Sequence, residues 1–229
     1  MSALQFQAEG HFTTQPLISV EHCQNLISTI CNDRGQAGNR EMLSQTWCAS
    51  LANVLLDHDE LRDFLPKNYG AIQCTYFEKS QETNWLVALH QDLSVPVANK
   101  FDHPDFQRYS NKGRHLYLQA PDYILRDFIA LRLHLEDCTI EDGALGVLPG
   151  SHLHGRLSNQ RVAELKQQGN LLLCPVKCGA ALLMRPLLLH MSSKAQGQSK
   201  RRVLHFLFAP RPTVEGLNYL HFVDRQTLF

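Results

Sequence analysis

The sequence predicts an α+β fold that is mainly β, with helices preceding a double-sheet jelly roll. Helical periodicity dominates residues 1–69, whereas residues 70–210 contain many short apolar runs separated by turn-forming residues. The length of 229 residues fits a single domain, and a hydrophobic content of 44% is enough to fill one large core. We find no internal repeat, low-complexity segment or inter-domain linker, so we expect residues 1–229 to form one domain.

Two amphipathic helices are predicted in the N-terminal part. Ser19 is a candidate N-cap for a helix from about Val20 to Cys31, which has apolar residues along one face. A longer helix is predicted from Arg40 to Leu56, with its own apolar face. The stretch Asn32–Asn39 is rich in Gly, Asn and Asp, and we expect it to be the loop between them.

Short strands are predicted in the rest of the chain. Leucines alternate with polar residues in Phe128–Glu136, which indicates a strand with two unlike faces. Ser158 is expected to cap a helix that continues to Gln168. The irregular stretch Ser94–Gly113 is predicted to be a long loop or lid. The other predicted strands are Ala71–Phe77, Trp85–Leu89, Leu171–Val176, Ala180–Met184, Leu187–His190 and Val203–Ala209.

Composition favours a soluble, cytoplasmic protein whose main partner is not nucleic acid. The 22 Lys and Arg residues balance 22 Asp and Glu residues, which argues against a nucleic-acid partner because phosphate binding leaves a basic excess. The N-terminus lacks the apolar stretch of a signal peptide, and no apolar run is long enough to span a bilayer. Seven cysteines at irregular spacing, without a C-x-x-C pair, indicate free thiols in a reducing compartment.

Three residues suggest a metal site. His90 and Asp92 follow a predicted strand two positions apart, so their side chains project from the same face. His190 follows another predicted strand far downstream. Two imidazoles and one carboxylate make the facial triad of non-haem iron(II) oxygenases, which leaves three coordination positions for a chelating 2-oxo acid and O₂.

An arginine beyond the second histidine fits the same chemistry. A 2-oxo diacid has a distal carboxylate, and the planar guanidinium fork of arginine binds carboxylates in a bidentate way. Arg201 and Arg202 both open the predicted strand Val203–Ala209 but face opposite sides of it. The face of Arg201 also carries His205 and suits a pocket wall, so we favour Arg201. The polar segment Met191–Lys200 is expected to be the hairpin loop that precedes it.

An ordered set of motifs resembles the phytanoyl-CoA dioxygenase family over about residues 70–210. Each motif is weak alone, but their order and approximate spacing are specific. The motifs are His90-x-Asp92, the stretch Asp142–His152 (DGALGVLPGSH), His190-x-Ser192 and Arg201-Arg202.

The resemblance implies a double-stranded β-helix, a cupin-like jelly roll with the metal inside. It also implies oxidative decarboxylation of 2-oxoglutarate to succinate and CO₂, with Fe(II) as metal and O₂ as oxidant. His90, Asp92 and His190 fall on the ligand positions of the family. Arg201 and Ser192 fall on the residues that hold the distal carboxylate of 2-oxoglutarate. Halogenating relatives have a small residue in place of the carboxylate, so Asp92 favours hydroxylation or a related oxidation.

Arg132 departs from the family pattern, in which a tryptophan lines the cosubstrate pocket at this position. Arg132 and His134 share the face opposite three leucines, and an arginine inside a cavity needs an anionic partner. We therefore expect Arg132 to help bind the cosubstrate or an acidic substrate. Tyr117 and His134 are weaker candidates for the pocket wall.

Two other functions are compatible with the sequence. One is a catalytically silent jelly-roll module that binds a ligand, although such a module has no need for a complete triad and arginine. The other is a metal enzyme that does not use 2-oxoglutarate, whose sites generally contain more histidines. Fold and family do not by themselves specify the substrate.

Overall fold

The computed structural model describes residues 3–32, 38–79, 84–196 and 200–225. Most of the ordered elements are strands, and helices cluster towards the N-terminus, which confirms the predicted mainly-β class. In chain order the elements are α1 (Ala3–Glu9), β1 (His11–Thr13), α2 (Val20–Asn32), α3 (Thr46–Asp57), β2 (Tyr69–Lys79), β3 (Val87–His90), β4 (Ser94–Val97), β5 (Tyr109–Lys112), β6 (His115–Gln119), α4 (Asp122–Leu125), β7 (Ile129–His134), β8 (Leu145–Val147), α5 (Asn159–Gln168), β9 (Leu172–Cys174), β10 (Ala181–Met184), β11 (His190–Ser192) and β12 (Arg201–Pro210).

The largest sheet, called here the large sheet, contains five antiparallel strands in the order β1-β10-β7-β12-β2. Its outer face packs against helices α2 and α3. Leu131, Leu133 and Phe206 on this face are completely buried. Each such side chain contributes about 1.5–3 kcal/mol through burial. This core therefore fixes which face of β7 and β12 turns towards the helices and which face turns to the opposite side.

A second sheet, called here the small sheet, contains β3-β11-β8-β9 and faces the inner side of the large sheet. A second apolar core lies between the layers and includes Val147, Leu182 and Leu188. The inner face of the large sheet also carries polar residues, because alternate residues of a strand project to opposite sides. The two sheets therefore enclose a space with both apolar and polar walls.

The stretch Ser94–Gly113 is not simply the long loop that the sequence predicts. Strands β4 and β5 lie within it and pair with β6 in a third, three-stranded antiparallel sheet. Pro96 obscures β4 in the sequence, because proline is generally absent from central strands. It fits here because β4 is an edge strand of this sheet.

Several predicted boundaries differ from the observed ones. The predicted helix Arg40–Leu56 is a short 3₁₀ turn, Met42–Ser44, followed by α3. The predicted strand Leu187–His190 begins three residues too early, because pairing begins only at His190. Met191–Lys200, which is predicted to be a hairpin loop, therefore begins inside β11. Residues 197–199 of this loop and residues 33–37 of the predicted loop Asn32–Asn39 lie outside the described residues.

Two predicted helix caps are present. Ser19 Oγ accepts a hydrogen bond from the backbone N–H of His22 at 3.1 Å, and Ser158 Oγ accepts one from Arg161 at 3.2 Å. Such caps satisfy backbone donors that the first helical turn leaves unpaired. In the described part of the chain, no helix is long and apolar enough to cross a membrane.

Candidate metal centre

A cavity of about 430 Å³ lies between the large and small sheets. A volume of this order is typical of sites that bind a small molecule. His90, Asp92 and His190 line one wall, and Arg132 and Arg201 line the cavity as well. The cavity thus brings together residues that are more than a hundred positions apart in the sequence.

Strand pairing places the two histidines side by side. His90 ends β3, His190 begins β11, and the antiparallel register sets these residues directly opposite each other. Asp92 lies two residues beyond β3, where its backbone N–H donates to Pro186 O at 2.8 Å. This bond ties the carboxylate to the turn that leads into β11, so the positions of all three side chains depend on one strand pair.

The three side chains form a cluster that could hold a metal ion. Asp92 Oδ1 lies 3.6 Å from His90 Nε2, and Asp92 Oδ2 lies 3.5 Å from His190 Nε2. Ligands bound at about 2.1 Å and at right angles to one another are separated by about 3 Å, so small movements would complete such a site. The side chains of His90 and Asp92 remain 40% and 37% exposed, which leaves the metal position open towards the cavity.

Both histidines present a lone pair to the cluster. His90 Nδ1 lies 2.8 Å from Ala88 O, and His190 Nδ1 lies 2.9 Å from Leu188 O. A carbonyl oxygen only accepts hydrogen bonds, so each Nδ1 carries the proton and each Nε2 is unprotonated in the neutral ring. Metal-binding histidines commonly have this arrangement, with the second nitrogen donating to a carbonyl.

The electrostatics of the cluster favour an ionised carboxylate. Burial raises the pKa of Asp92, but the neighbouring His190 and His90 outweigh this effect and hold the pKa well below its usual range. Burial lowers the pKa of His190 to about 4, against the opposing effect of Asp92. An anionic carboxylate and a neutral imidazole are the forms that bind a cation.

Gln91 supports this geometry, although its position between His90 and Asp92 gives no signal in the sequence. Its Nε2 donates to Gly155 O at 2.8 Å and to Leu187 O at 2.6 Å. Its Oε1 accepts from the N–H of Leu157 at 2.9 Å. The amide therefore uses both its donor and its acceptor to fix the backbone between the two candidate ligands.

Arg201 and Ser192 lie together on the wall of the cavity. Arg201 is only 3% exposed, and its guanidinium donates from Nη1 to Ser192 Oγ at 3.1 Å and to Gly143 O. Ser192 Oγ in turn donates to Gly143 O at 2.9 Å. Arg201 Nε is buried without a partner among the described residues. A donor left unsatisfied beside a cavity is available to hydrogen-bond a ligand that enters it.

Gly143 explains part of the DGALGVLPGSH motif. Its φ of +71° lies in the left-handed region, and a Cβ at this position would lie 2.6 Å from Ser193 O. Only glycine therefore allows the Asp142–Gly143 turn to approach β11 closely. The turn presents the carbonyl that holds Arg201 and Ser192.

Lys79 is a cation that sequence inspection missed. It is fully buried at the end of β2, and its Nζ donates to Ser192 Oγ at 2.7 Å and to Ser193 O at 2.6 Å. Burial and the nearby Arg201 and Arg132 lower the pKa of Lys79 to about 8. Its position opposite Arg201 follows from the β2–β12 register, which local sequence does not specify.

Arg132 is buried on the same wall and contacts a third histidine. Its Nη1 lies 2.9 Å from His205 Nδ1, and its guanidinium lies over the Phe77 ring at 5.6 Å. Burial and Arg201 lower the pKa of Arg132 to about 10, so it stays charged at neutral pH. Burial and Arg132 lower the pKa of His205 to about 3, so its ring is neutral.

The remaining candidates divide between the cavity and its surroundings. Tyr117 lines the cavity, whereas His134 is buried behind the cavity wall. Arg202 faces outwards and forms ion pairs with Glu78 and Glu136. Thus Arg201, and not Arg202, faces the cavity.

Comparison with known proteins reveals a family and a fold. The family model described as phytanoyl-CoA dioxygenase matches residues 13–203. No curated protein sequence matches the chain.

Three solved structures illustrate the shared fold. The non-heme alpha ketoglutarate dependent carbocyclase SnoK from nogalamycin biosynthesis has a TM-score of 0.63 and 14% identity, over 94% of this chain and 88% of that chain. The epimerase SnoN from the same biosynthesis has a TM-score of 0.64 and 13% identity, over 98% and 93%. HygX from Streptomyces hygroscopicus, with nickel and 2-oxoglutarate bound, has a TM-score of 0.62 and 16% identity, over 92% and 87%.

At these identities the structural likeness concerns the fold, and it confirms the predicted jelly-roll class. The family model covers most of the chain, including both histidines, the aspartate and Arg201. The chain belongs to the phytanoyl-CoA dioxygenase family.

Proposed function

We propose that this protein is an Fe(II)- and 2-oxoglutarate-dependent dioxygenase that hydroxylates a small molecule. One observation carries the proposal: a His-Asp-His cluster faces a cavity that is also lined by a buried arginine with an unsatisfied donor. The cluster matches the donor set of non-haem iron(II) sites, and the arginine matches the distal carboxylate of a 2-oxo diacid. Membership of the family supports the same assignment.

The metal would be held by His90 Nε2, His190 Nε2 and the Asp92 carboxylate. Two neutral nitrogen donors and one anionic oxygen suit a borderline divalent cation such as Fe(II). No further histidine or acidic residue of the described chain joins this cluster. Three protein ligands leave coordination positions free for the cosubstrate and O₂.

The cosubstrate would be held directly by Arg201 and Ser192, with Arg132 buried on the same wall. Arg201 supplies a buried guanidinium, and the Ser192 hydroxyl hydrogen-bonds both to it and to Gly143 O. Lys79, which was not among the predicted residues, adds a third buried cation to this wall. Buried cations need anionic partners, and a dianionic cosubstrate provides two carboxylates.

Bound Fe(II) and 2-oxoglutarate supply the oxidation, in which O₂ converts the cosubstrate to succinate and CO₂ while a C–H bond of the substrate is oxidised. The residues of this chain orient the reactants for that step. Asp92 stays ionised and so maintains the charge balance of the metal. Gln91 holds the backbone that carries His90 and Asp92.

Hydroxylation is proposed because the carboxylate ligand is present. A halogenating site needs a small residue there so that a halide can bind the metal, and Asp92 occupies that position. Related structures include a carbocyclase and an epimerase, so the fold by itself does not select the outcome of the oxidation.

We also propose that the primary substrate carries an anionic group. The cavity is lined by Arg40, Lys112, Arg132 and Arg201, whereas Asp92 is the acidic residue in its lining. The side chain of Lys112 lies over the Tyr117 ring at 4.9 Å, next to apolar surface. A substrate with an anionic group and an apolar body fits this lining best.

Anaerobic titration of the apo-protein with Fe(II) and 2-oxoglutarate tests the proposed function. We expect a weak visible metal-to-ligand charge-transfer band that requires both additions and disappears in His190→Ala. His154→Ala is a matched control, because His154 is exposed and lies outside the cluster.

The alternatives predict different titrations. A metal enzyme that does not use 2-oxoglutarate binds Fe(II) without developing the band, and a silent ligand-binding module binds neither component tightly. Either result with folded wild-type protein would overturn the proposal. Succinate release stimulated by anionic but not by neutral compounds would then support the proposed substrate class.

A further inference from the structure

Three histidines approach the Asp92 carboxylate, and the third differs from the other two. His205 Nε2 lies 3.9 Å from Asp92 Oδ2, close to the 3.5 Å and 3.6 Å separations of the two candidate ligands. His205 nevertheless lies outside the cluster of ligand atoms that are all within 4.8 Å of one another. The hydrogen bond on its other ring nitrogen gives it a different role.

The partner of His205 Nδ1 is Arg132, which can only donate. The two residues are directly opposite each other in the β7–β12 register, and Arg132 Nη1 lies 2.9 Å from His205 Nδ1. A guanidinium has no acceptor, so His205 Nδ1 must accept and cannot carry a proton. The ring is then neutral, and its single proton lies on Nε2.

His205 thus has the tautomer opposite to that of His90 and His190. Carbonyl oxygens at Ala88 and Leu188 place the protons of those two rings on Nδ1. His90 and His190 therefore offer lone pairs to the cluster, whereas His205 offers an N–H. A protonated Nε2 cannot bind a metal, but it can donate a hydrogen bond to an oxygen beside the metal.

We propose that His205 Nε2–H is a hydrogen-bond donor to the carboxylate of a 2-oxo acid bound at the positions that the triad leaves open, and that Arg132 is the positioning residue that sets this tautomer. The identity of the acceptor rests on the proposed function. His205 lines the cavity, and its Nε2 has no hydrogen-bond partner among the described residues. The same tautomer keeps His205 from occupying a coordination position.

The tautomer can be measured without metal or cosubstrate. In ¹⁵N-histidine-labelled apo-protein near neutral pH, long-range ¹H–¹⁵N correlation spectra distinguish the two neutral tautomers. We expect His205, assigned by comparison with His205→Gln, to be protonated on Nε2 only. Arg132→Lys should keep this pattern because an ammonium group also only donates, whereas Arg132→Met should give a mixture. A His205 protonated on Nδ1 in the wild-type protein would overturn the inference.

The donor role is tested by cosubstrate affinity. In anaerobic titrations with Fe(II), we expect His205→Phe and Arg132→Met to raise the Kd of 2-oxoglutarate by about tenfold or more, the usual effect of losing a hydrogen bond to a charged group. The Kd of Fe(II) alone should stay within about twofold, because neither residue is a ligand or hydrogen-bonds one. Arg132→Lys should recover most of the affinity that Arg132→Met loses.

Arg185→Met is the matched control. Arg185 also lies over a phenylalanine ring, Phe6 at 5.0 Å, and donates to a backbone carbonyl, but it does not line the cavity. We expect this variant to bind 2-oxoglutarate normally. Circular dichroism and thermal unfolding verify that each variant is folded.

The outcomes separate this inference from the proposed function. A normal wild-type band with unchanged 2-oxoglutarate affinity in folded His205→Phe would overturn the donor role alone. No band in the wild-type protein would overturn the proposed function and, with it, the acceptor; the NMR result would still decide whether Arg132 sets the tautomer.

Discussion

The two sheets that enclose the cavity carry opposite hydrogen-bonding chemistry. The small sheet provides two imidazole lone pairs, and the turn after β3 provides a carboxylate. All of these groups are electron-pair donors. The inner face of the large sheet provides Lys79, Arg132 and Arg201, which only donate hydrogen bonds.

This difference indicates how the cavity can hold a cation and an anion at the same time. The lone pairs of the triad attract the metal to the wall formed by the small sheet, called here the metal wall. The three buried cations of the large sheet attract carboxylates towards the opposite wall, called here the cationic wall. His205 belongs to the cationic wall, but its Nε2 lies 3.9 Å from Asp92 Oδ2 on the metal wall. The contrast between the walls predicts that metal affinity and cosubstrate affinity can be changed separately.

Removing the carboxylate should have the largest effect. We expect Asp92→Ala to lower Fe(II) affinity by more than about 100-fold, because loss of a group that merely supports a ligand already costs 10–100-fold. Isothermal titration under anaerobic conditions measures this affinity. Asp122→Ala, a substitution of an acidic residue outside the cavity lining, should bind Fe(II) as the wild type does. Unchanged affinity in Asp92→Ala would show that the small sheet is not the metal wall.

Removing the buried arginine should affect only the other ligand. We expect Arg201→Met to raise the Kd of 2-oxoglutarate by at least about 30-fold, since truncating one partner of a buried charge pair costs several kcal/mol. Fe(II) affinity should not change. Arg202→Met is the matched control. Arg202 is the next residue in the strand, and its guanidinium pairs with Glu78 and Glu136 outside the cavity. Equal losses in both variants would contradict the division between the two walls.

A smaller effect is expected at Gln91, which supports the metal wall from outside. Gln91→Leu removes two donated bonds and one accepted bond that hold the segment from His90 to Asp92. We expect Fe(II) affinity to fall by about tenfold, as is typical for outer-shell substitutions. Gln160→Leu, on an exposed helix, should leave the affinity unchanged. A Gln91→Leu protein that binds Fe(II) normally would show that the strand pairing alone positions the ligands.

The smallest expected effect concerns stability. His134 is buried behind the cationic wall, and neither ring nitrogen has a partner in the described structure. We expect His134→Leu to raise the free energy of unfolding at pH 7 by about 1 kcal/mol, because an unsatisfied buried polar group is removed. Chemical denaturation measures this difference.

The effect of His134→Leu should grow in acid. Burial, with Arg132 and Arg201, lowers the pKa of His134 well below 6.5 in the folded protein. Below about pH 6.5 the His134 ring of the unfolded chain binds a proton that the folded chain excludes, so the wild type loses stability as pH falls. The leucine variant lacks this loss. Stability curves that stay parallel from pH 7 to pH 5, or a destabilised variant, would contradict the assignment of His134 as an unpaired buried histidine.

Local patterns in the sequence were sufficient to choose most of the candidate residues but not their contacts. The alternation of β12 placed Arg201 and His205 on one face, and the structure has both in the cavity lining. The same alternation did not identify Lys79 or the partner of Arg132, because those contacts depend on pairing between distant strands. Pro96 misled the prediction at β4, since only the edge position of that strand in its sheet makes proline acceptable.

The sequence by itself determined the fold class and the candidate metal and cosubstrate residues other than Lys79, because strand alternation and residue chemistry are local properties. Only the tertiary structure decided how those side chains are bonded. The β3–β11 register sets His90 against His190, and the β7–β12 register sets Arg132 against His205. Register depends on burial of whole strands in two cores, so it is a property of the assembled sheets. It is this long-range pairing that makes two histidines lone-pair donors and the third a hydrogen-bond donor.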